Sequence, residues 1–208
     1  MLANERIGDP QEAFKSGVEG HMYNIWTAIP AIINTVDYVN QTLTAQPAIQ
    51  ASMTDKNQKQ TNVNLPLLVD VPFQIYGGTG FVFTMPKLEG SECLIIFSSR
   101  CIDGWWQSGG VQPQAEVRNH DLSDGMAIIG FRSQPHKISN YNTTAPELRT
   151  IDGATKITLN NGNVTITGNV IVNGTITATG DITAGSISLK NHKHSGVTTG
   201  SGITGVPQ

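Results

Sequence analysis

Short apolar runs alternate with polar turns between residues 23 and 137. Four of the clearest runs are AIINTVDYV, LPLLVDVPFQIY, ECLIIFSS and GMAIIGF, and turn sequences such as GGTG and LEGSE stand between them. Short strands at such spacings favour a small barrel or sandwich over a βαβ fold. We therefore predict a mainly β chain with an OB-type barrel over residues 23–137.

Different patterns flank this region. Residues 1–22 are predicted to be an N-terminal arm, in which an Asp-Pro pair indicates the start of a helix. We expect Gly17 and Gly20 to keep that helix short. Residues 138–152, within the stretch HKISNYNTTAPELRTIDG, are predicted to form a linker.

The segment 153–190 repeats with a period of six. Glycines stand at positions 162, 168, 174 and 180. Two columns of mostly β-branched or small apolar residues keep step with them: Val164, Val170, Ile176, Ile182 and Ile187 in one column, and Ile166, Val172, Ala178, Ala184 and Leu189 in the other. Each repeat is a short strand with one apolar face, closed by a glycine that permits a tight turn.

A strand this short cannot bury its apolar face alone. A single-chain hexapeptide solenoid uses three repeats for each coil. About five repeats therefore give fewer than two coils, below the roughly three stacked units that such a fold needs. Three chains wound about a common axis satisfy the pattern, because each chain then supplies one face at every level. We therefore predict an intertwined, trimeric, triple-stranded β-helix with a pointed C-terminal apex. A β-meander that turns at Asn161-Gly162 and Asn173-Gly174 is the alternative.

The composition limits the partners of the chain. Its formal net charge is −3 and it contains no basic run, so we expect it to bind no nucleic acid. The N-terminus lacks the pattern of a signal peptide, and no apolar stretch reaches the ~18 residues of a membrane span. We expect a soluble protein in which Cys93 and Cys101 are reduced thiols, because two cysteines are too few for a disulfide framework.

His192 and His194 are the candidate metal ligands, within a predicted apex at residues 191–208. On an extended strand, imidazoles at i and i+2 point to the same face. One chain offers only two nitrogens, but three coiled chains would offer six, which is octahedral coordination. Imidazole ligation suits iron, nickel, zinc or copper, and octahedral geometry disfavours structural zinc, so we favour one iron ion per trimer. With its coordination filled, the metal would be structural, and Lys193 would face outward.

No constellation of residues indicates catalysis, and we predict that the protein is not an enzyme. His120 lies near Asp121 and Asp124, but this group is better explained as a loop with turn-forming and capping aspartates. A trimeric hexapeptide-repeat acyltransferase is an alternative. It would need more coils, and a catalytic histidine in a cleft between subunits.

Two further alternatives are binding proteins. An OB barrel could recognise single-stranded nucleic acid or sugar through Trp105, Trp106, Phe81 and Phe83, although the basic groove that nucleic acid needs is missing. Packing in the core or at a trimer interface explains these aromatic residues better. A trimeric receptor-binding fibre would share the β-helix, but the apex is rich in Gly, Thr and Ser and has no aromatic cluster.

The chain resembles the central spike proteins of contractile-tailed bacteriophages. In the barrel region the likeness rests on LPLLVDVPFQIYGGTGFVFTMPKLEGSECLIIFSSRCIDGWWQSGG and RNHDLSDGMAIIGF. It continues in the glycine-punctuated repeat at 153–190 and in HKHSGVTTGSGITG near the end. Proteins of this family are baseplate trimers with an N-terminal OB domain, a triple-stranded β-helix and a metal-bearing tip.

The resemblance implies a structural role. It suggests a homotrimer that is docked to the baseplate hub through its N-terminal domain and pierces the host outer membrane during tail contraction. The protein would be assembled in the host cytoplasm and reside at the tip of the virion tail baseplate. By position, His192 and His194 would bind the iron ion that three chains share. The repeat is short, so the needle would be stubby.

Overall fold

The computed structural model describes residues 10–196 and 200–201 of the 208-residue chain. The chain divides into two compact units, with the boundary between Lys137 and Ile138. Strands dominate both units. Among the described residues, no helix is both long and apolar enough to cross a membrane.

From residue 10 onward, where its description begins, the first unit contains two α-helices, two short 3-10 turns and nine strands. The helices are α1 (Pro10–Tyr23) and α2 (Asp103–Ser108), and the 3-10 turns are Leu122–Asp124 and Gln134–His136. The strands are β1 (Ala28–Asp37), β2 (Thr42–Pro47), β3 (Ala51–Thr54), β4 (Gln60–Val63), β5 (Leu68–Pro72), β6 (Tyr76–Gly77), β7 (Val82–Phe83), β8 (Glu92–Phe97) and β9 (Gly125–Ile129).

Five of these strands form one curled sheet in the order β5-β2-β1-β8-β9. The pairs within it are antiparallel, and β8 returns after β5 to lie beside β1, which is a Greek-key connection. The sheet curls far enough for a parallel bridge between Phe73 and Ala127 to join its two ends. This is the five-stranded, partly open barrel of the OB type that the sequence predicts.

The core fills the inside of the curled sheet. Along β1 the burial alternates residue by residue, with Ile29, Ala31 and Ile33 inside, and the same alternation holds along β8 and β9. Cys93 and Ile95 of β8 are fully buried. This period of two is what places one face of each strand in the core, and it is why the apolar runs predicted the barrel.

Helix α1 is longer than expected, because it runs through Gly17 and Gly20 instead of stopping there. Each glycine costs a helix only about 0.5–1 kcal/mol. Lys15 and Glu19 form an i,i+4 ion pair with 3.9 Å between Nζ and Oε1, and the Asn24 side chain donates a hydrogen bond to the Gly20 carbonyl. No residue of α1 is buried.

The described part of the second unit contains five strands: β10 (Glu147–Arg149), β11 (Lys156–Asn160), β12 (Asn163–Thr167), β13 (Thr183–Ala184) and β14 (Ile187–Ser188). Strands β10, β11 and β12 form an antiparallel meander, and β13 pairs with β14.

The predicted linker at 138–152 is therefore wrong in part, because it contains β10. Glu147 explains why this segment is ordered. Its side chain is buried and accepts hydrogen bonds from the Asn142 amide and the Thr158 hydroxyl, while Lys156 Nζ lies 3.0 Å from Oε1. Strand β10 has one apolar residue in three, so the apolar pattern of the sequence does not predict it.

The first repeat also differs from expectation. Residues 156–167 form a hairpin that turns at Asn161-Gly162, as in the alternative meander, because Gly162 has a φ of +82° that the turn requires. The second turn of that alternative does not form, since no strand is present between residues 168 and 182, all of which are described. Every residue from 161 to 187 is exposed in the single chain.

Candidate functional site

The β13–β14 hairpin places the candidate metal ligands at the end of the repeat. Its two-residue turn begins at Gly185, whose φ is +61°. Glycine at this first position is typical of the tight turns that connect short antiparallel strands. The chain leaves β14 at Ser188 and makes one further turn before it reaches the two histidines.

Asp181 and Ser188 hold that further turn in place. The Asp181 carboxylate accepts a hydrogen bond from the Lys190 N–H at 3.0 Å, and the Ser188 hydroxyl accepts one from the Asn191 N–H at 2.8 Å. Hydrogen bonds from the Ser188 side chain and the Lys190 backbone lower the pKa of Asp181. The Leu189 N–H also donates to the Ile182 carbonyl. These bonds fix the backbone of the turn that leads to His192.

The structure brings His192 and His194 together. Their ring centroids lie 5.1 Å apart in an edge-to-face arrangement, and both residues are exposed. His192 Nδ1 lies 3.0 Å from the Ser188 carbonyl oxygen and 3.1 Å from that of Leu189. Because carbonyl oxygens only accept, Nδ1 must donate, and the neutral ring then keeps its lone pair on Nε2.

This donor set fits a transition metal. A metal-ligating histidine generally donates its other ring N–H to a carbonyl or carboxylate, which fixes the tautomer, and His192 already makes such a bond. The chain nevertheless supplies only two imidazoles here, fewer than a stable site needs. The donors that complete such a site would have to come from outside the described residues of one chain. The residues that follow lie partly outside the described part, which stops at 196 and resumes at 200–201.

The other histidine that the sequence singled out has a structural position. His120 Nδ1 lies 3.1 Å from the Trp26 carbonyl oxygen, and the Trp26 N–H donates to the His120 carbonyl. His120 thus ties its loop to the start of β1. Asp121 caps the following 3-10 turn by accepting from the Ser123 N–H, as the loop interpretation predicts.

Asp124 does not cap a turn, and pattern reading missed its role. Its side chain is fully buried and accepts hydrogen bonds from Arg118 Nε at 2.8 Å, from Arg118 Nη2 at 3.0 Å and from the Ile102 N–H at 2.9 Å. Asp124 raises the pKa of Arg118 above its usual value. Arg118 also pairs with Asp103 and Glu116. The six-residue spacing of Arg118 and Asp124 was the only signal of this pair in the sequence.

A second group of potential ligands surrounds this ion pair. The Cys101 thiol and the carboxylates of Asp103 and Asp124 lie within 4.8 Å of one another. Arg118 already occupies the space between the two carboxylates and satisfies both of them. The group therefore acts as an ion-pair network rather than as a cation site. Cys93, in contrast, is a core residue, and burial raises the pKa of its thiol to about 11.

The aromatic residues considered for binding are not in the core. Phe81, Phe83, Trp105 and Trp106 are all substantially exposed, which makes the core explanation wrong for these four. The exposed pair Phe81 and Phe83 belongs to the β6–β7 hairpin or its turn, whereas the two tryptophans lie on α2.

Comparison with known families agrees with this geometry at both ends of the chain. Residues 29–130, which include the curled sheet except for the first residue of β1, match the family described as phage protein Gp138 N-terminal domain. Residues 186–208, which include His192 and His194, match the GpV Apex motif. A comparison with curated proteins found no significant match. Both matching families are structural components of phage tails, and together they identify the chain as a central spike protein of the phage baseplate.

Proposed function

We propose that three copies of the chain wind together over residues 168–190 to form a membrane-piercing spike. One observation carries this proposal: the apolar columns of the repeat are exposed in the single chain. Val164, Val170, Ile176 and Ile187 are each 61–69% exposed. Burying one such side chain is worth about 1.5–3 kcal/mol, so several exposed in register strongly favour association.

The backbone supports the same assembly. Residues 168–182 form no strand within the chain, yet their alternating side chains and regular glycines suit extended structure. Edge strands without partners are liabilities that proteins cover or pair. Two neighbouring copies would supply the missing hydrogen bonds on both edges at every level.

The two histidines would then hold the three chain ends together. Three copies of His192 and His194 provide six imidazole nitrogens, which suits one octahedral iron ion. The metal would supply a structural link between chains and no reaction, because protein ligands would fill its coordination. His192 contributes through Nε2, which its Nδ1 bond to the Ser188 carbonyl keeps free of a proton.

The function of such a spike would be mechanical. Hydrogen bonds between wound strands spread an axial load along the shaft, and the outer Thr, Ser and Asn side chains keep it soluble. Only Asp181, Lys190 and Lys193 carry charge between residues 157 and 196. Few charges lower the desolvation cost of entering a lipid layer. The barrel would dock to the baseplate hub, and the point would cross the host outer membrane during tail contraction.

Native mass spectrometry tests the assembly and the metal together. We expect a mass of three times 22.3 kDa plus one metal ion, which elemental analysis would identify as iron. The double variant His192→Ala/His194→Ala should lose the metal, and Lys193→Ala, between them, should keep it. A monomer would contradict the spike. A metal-free trimer would contradict only the metal site.

Infection assays separate piercing from receptor binding. Particles assembled with the His192→Ala/His194→Ala variant should adsorb to host cells normally but infect fewer of them, because the tip is weakened. Loss of adsorption itself would contradict piercing and favour the receptor-binding fibre.

A further inference from the structure

A polar cavity of about 500 Å³ opens on the barrel. It lies between the β1–β2 turn, strands β2 and β5, and helix α2. Its lining includes Asn40, Thr42, Asp70, Asp103, Trp106 and Gln107. The volume is within the range of about 300–1,000 Å³ that is usual for small-molecule sites.

The position of the cavity matches the ligand face of OB barrels. In that fold, ligands bind to the second and third strands, between the loop that joins strands one and two and the loop that joins strands four and five. In this barrel the second and third strands are β2 and β5, and α2 lies in the connection from the fourth strand, β8, to the fifth, β9. The cavity is bounded by each of these elements.

Asp70 is held in the cavity in an unusual conformation. Its φ is +53°, and the β2–β5 register shifts at this point, which marks a β-bulge. Bulges redirect side chains and are frequent beside binding sites. Asp70 is exposed, and its side chain forms no hydrogen bond or ion pair with the described residues. A strained residue whose carboxylate has no role in the fold is a candidate for ligand binding.

The lining chemistry selects the ligand class. Gln107 offers an amide donor and an acceptor, and the Asp70 carboxylate offers acceptors. The Asn40 amide already donates to Asp37, and one Asp103 oxygen accepts from Arg118, so these two side chains contribute only their remaining oxygens. Trp106 lines the same space and is 36% exposed, so an apolar ring surface is available. No lysine or arginine lines the cavity, and the unpaired Asp70 carboxylate repels phosphate.

We propose that this cavity binds a neutral saccharide. Sugar hydroxyls donate to carboxylates and amides, and the apolar face of a sugar ring packs against an aromatic side chain. The lining residues all belong to the barrel unit, so the proposal does not rest on the proposed winding of the repeat or on the proposed metal at the apex.

Isothermal titration of the full-length protein tests the proposal with lactose, cellobiose and N,N′-diacetylchitobiose as probes. Titration to about 10 mM covers the millimolar Kd values of weak sites. We expect at least one of these disaccharides to bind. Trp106→Ala should weaken that binding at least about tenfold, and Asp70→Asn by a smaller factor.

Trp105→Ala is the matched control. Trp105 is 46% exposed and adjacent in sequence, but it does not line the cavity. Its variant should bind as the unmodified protein does. Asp70→Asn changes an exposed residue without changing its size, so it tests the site even if Trp106→Ala unfolds. Three results would overturn the proposal: no binding of any probe, unchanged binding in both cavity variants, or displacement of a bound probe by oligothymidylate.

Discussion

Arg118 and Asp124 form the most demanding interaction of the barrel. Asp124 is completely buried, and Arg118 is its only charged partner of opposite sign in the described part of the chain. Removing one member of a buried ion pair leaves an uncompensated charge, which costs about 3–5 kcal/mol. Asp124 also accepts a hydrogen bond from the Ile102 N–H. It therefore ties together two distant positions, Ile102 and Arg118, of the connection between β8 and β9.

Arg118→Met should therefore destabilise the barrel by about 3–5 kcal/mol. Urea unfolding followed by tryptophan fluorescence measures this, because all three tryptophans lie in the barrel unit. Glu116→Gln is the control, since Glu116 is exposed and its bond to Arg118 should be worth less than about 1 kcal/mol. Equal unfolding midpoints for the two variants would show that the buried pair is not a main source of stability.

Glu92 should make barrel stability depend on acid pH. The Ser133 hydroxyl and N–H donate to its carboxylate, and His136 Nδ1 lies 2.8 Å away, which lowers the pKa of Glu92 from 4.5 to about 2. A lowered pKa means that this stabilisation is complete above pH 4.5 and is lost as the pH falls from 4.5 towards 2. Unfolding midpoints measured across that range should fall more steeply for the unmodified protein than for Glu92→Gln.

Ser133→Ala separates this cause from general acid unfolding. Ser133 is the main source of the lowered pKa, so its loss should raise the pKa of Glu92 towards 4.5. The pH dependence should then shrink without disappearing, because the Ser133 N–H and His136 remain. An unchanged slope in both variants would mean that other carboxylates control acid stability.

At the level of elements, the glycines of the repeat are not equivalent. Gly162 and Gly168 have positive φ values, whereas Gly174 and Gly180 do not. The period of six in the sequence therefore covers two structures within one chain. Gly162 lies in the turn of the β11–β12 hairpin and Gly168 directly follows β12, whereas the two later glycines lie at bends in a stretch without strands.

Gly162→Ala should selectively weaken the hairpin. A Cβ at this position would meet open space, so the cost comes from the left-handed backbone alone, about 1–2 kcal/mol. Hydrogen exchange of the β11 and β12 amides should speed up by roughly five- to thirtyfold. Gly174→Ala is the matched control, because its site is equally open and its φ is not left-handed. If both variants exchange alike, the turn does not depend on Gly162.

Alternation along strands made the barrel predictable, because one face of β1, β8 and β9 is buried. Helix α2 and strand β10 were missed for a different reason. Neither contains a buried apolar face, and both are held by polar contacts between residues distant in sequence. The bulge at Asp70 has no sequence signal either, since nothing in the sequence of β5 marks the residue at which the pairing shifts.

At the scale of the whole molecule, part of the sequence pattern concerns the proposed contacts between chains, which the structure of a single chain does not contain. The paired histidines and the apolar columns were identified from their spacing, and the structure brings the histidines together without completing a site. The hairpin at 156–167 was not separable from the repeat, because its residues follow the same apolar and glycine periods. A periodic pattern indicates which side-chain faces need a neighbour. It does not distinguish a neighbouring strand of the same chain, joined by a turn, from a strand of a partner chain.

The proposed trimer can be broken by a single charge on its inner face. Ile176 is 69% exposed in the single chain and stands in the first apolar column, whereas Thr177 points to the opposite side of an extended strand. Ile176→Asp would bury three carboxylates near the axis, at a cost of about 3–5 kcal/mol for each uncompensated charge. Light scattering coupled to size exclusion should then show a large loss of trimer, while Thr177→Asp should remain trimeric. Ile176 belongs to the second unit and all three tryptophans to the first, so the unfolding midpoint that tryptophan fluorescence reports should not change in Ile176→Asp. Trimers of equal stability from both variants would refute winding through this column.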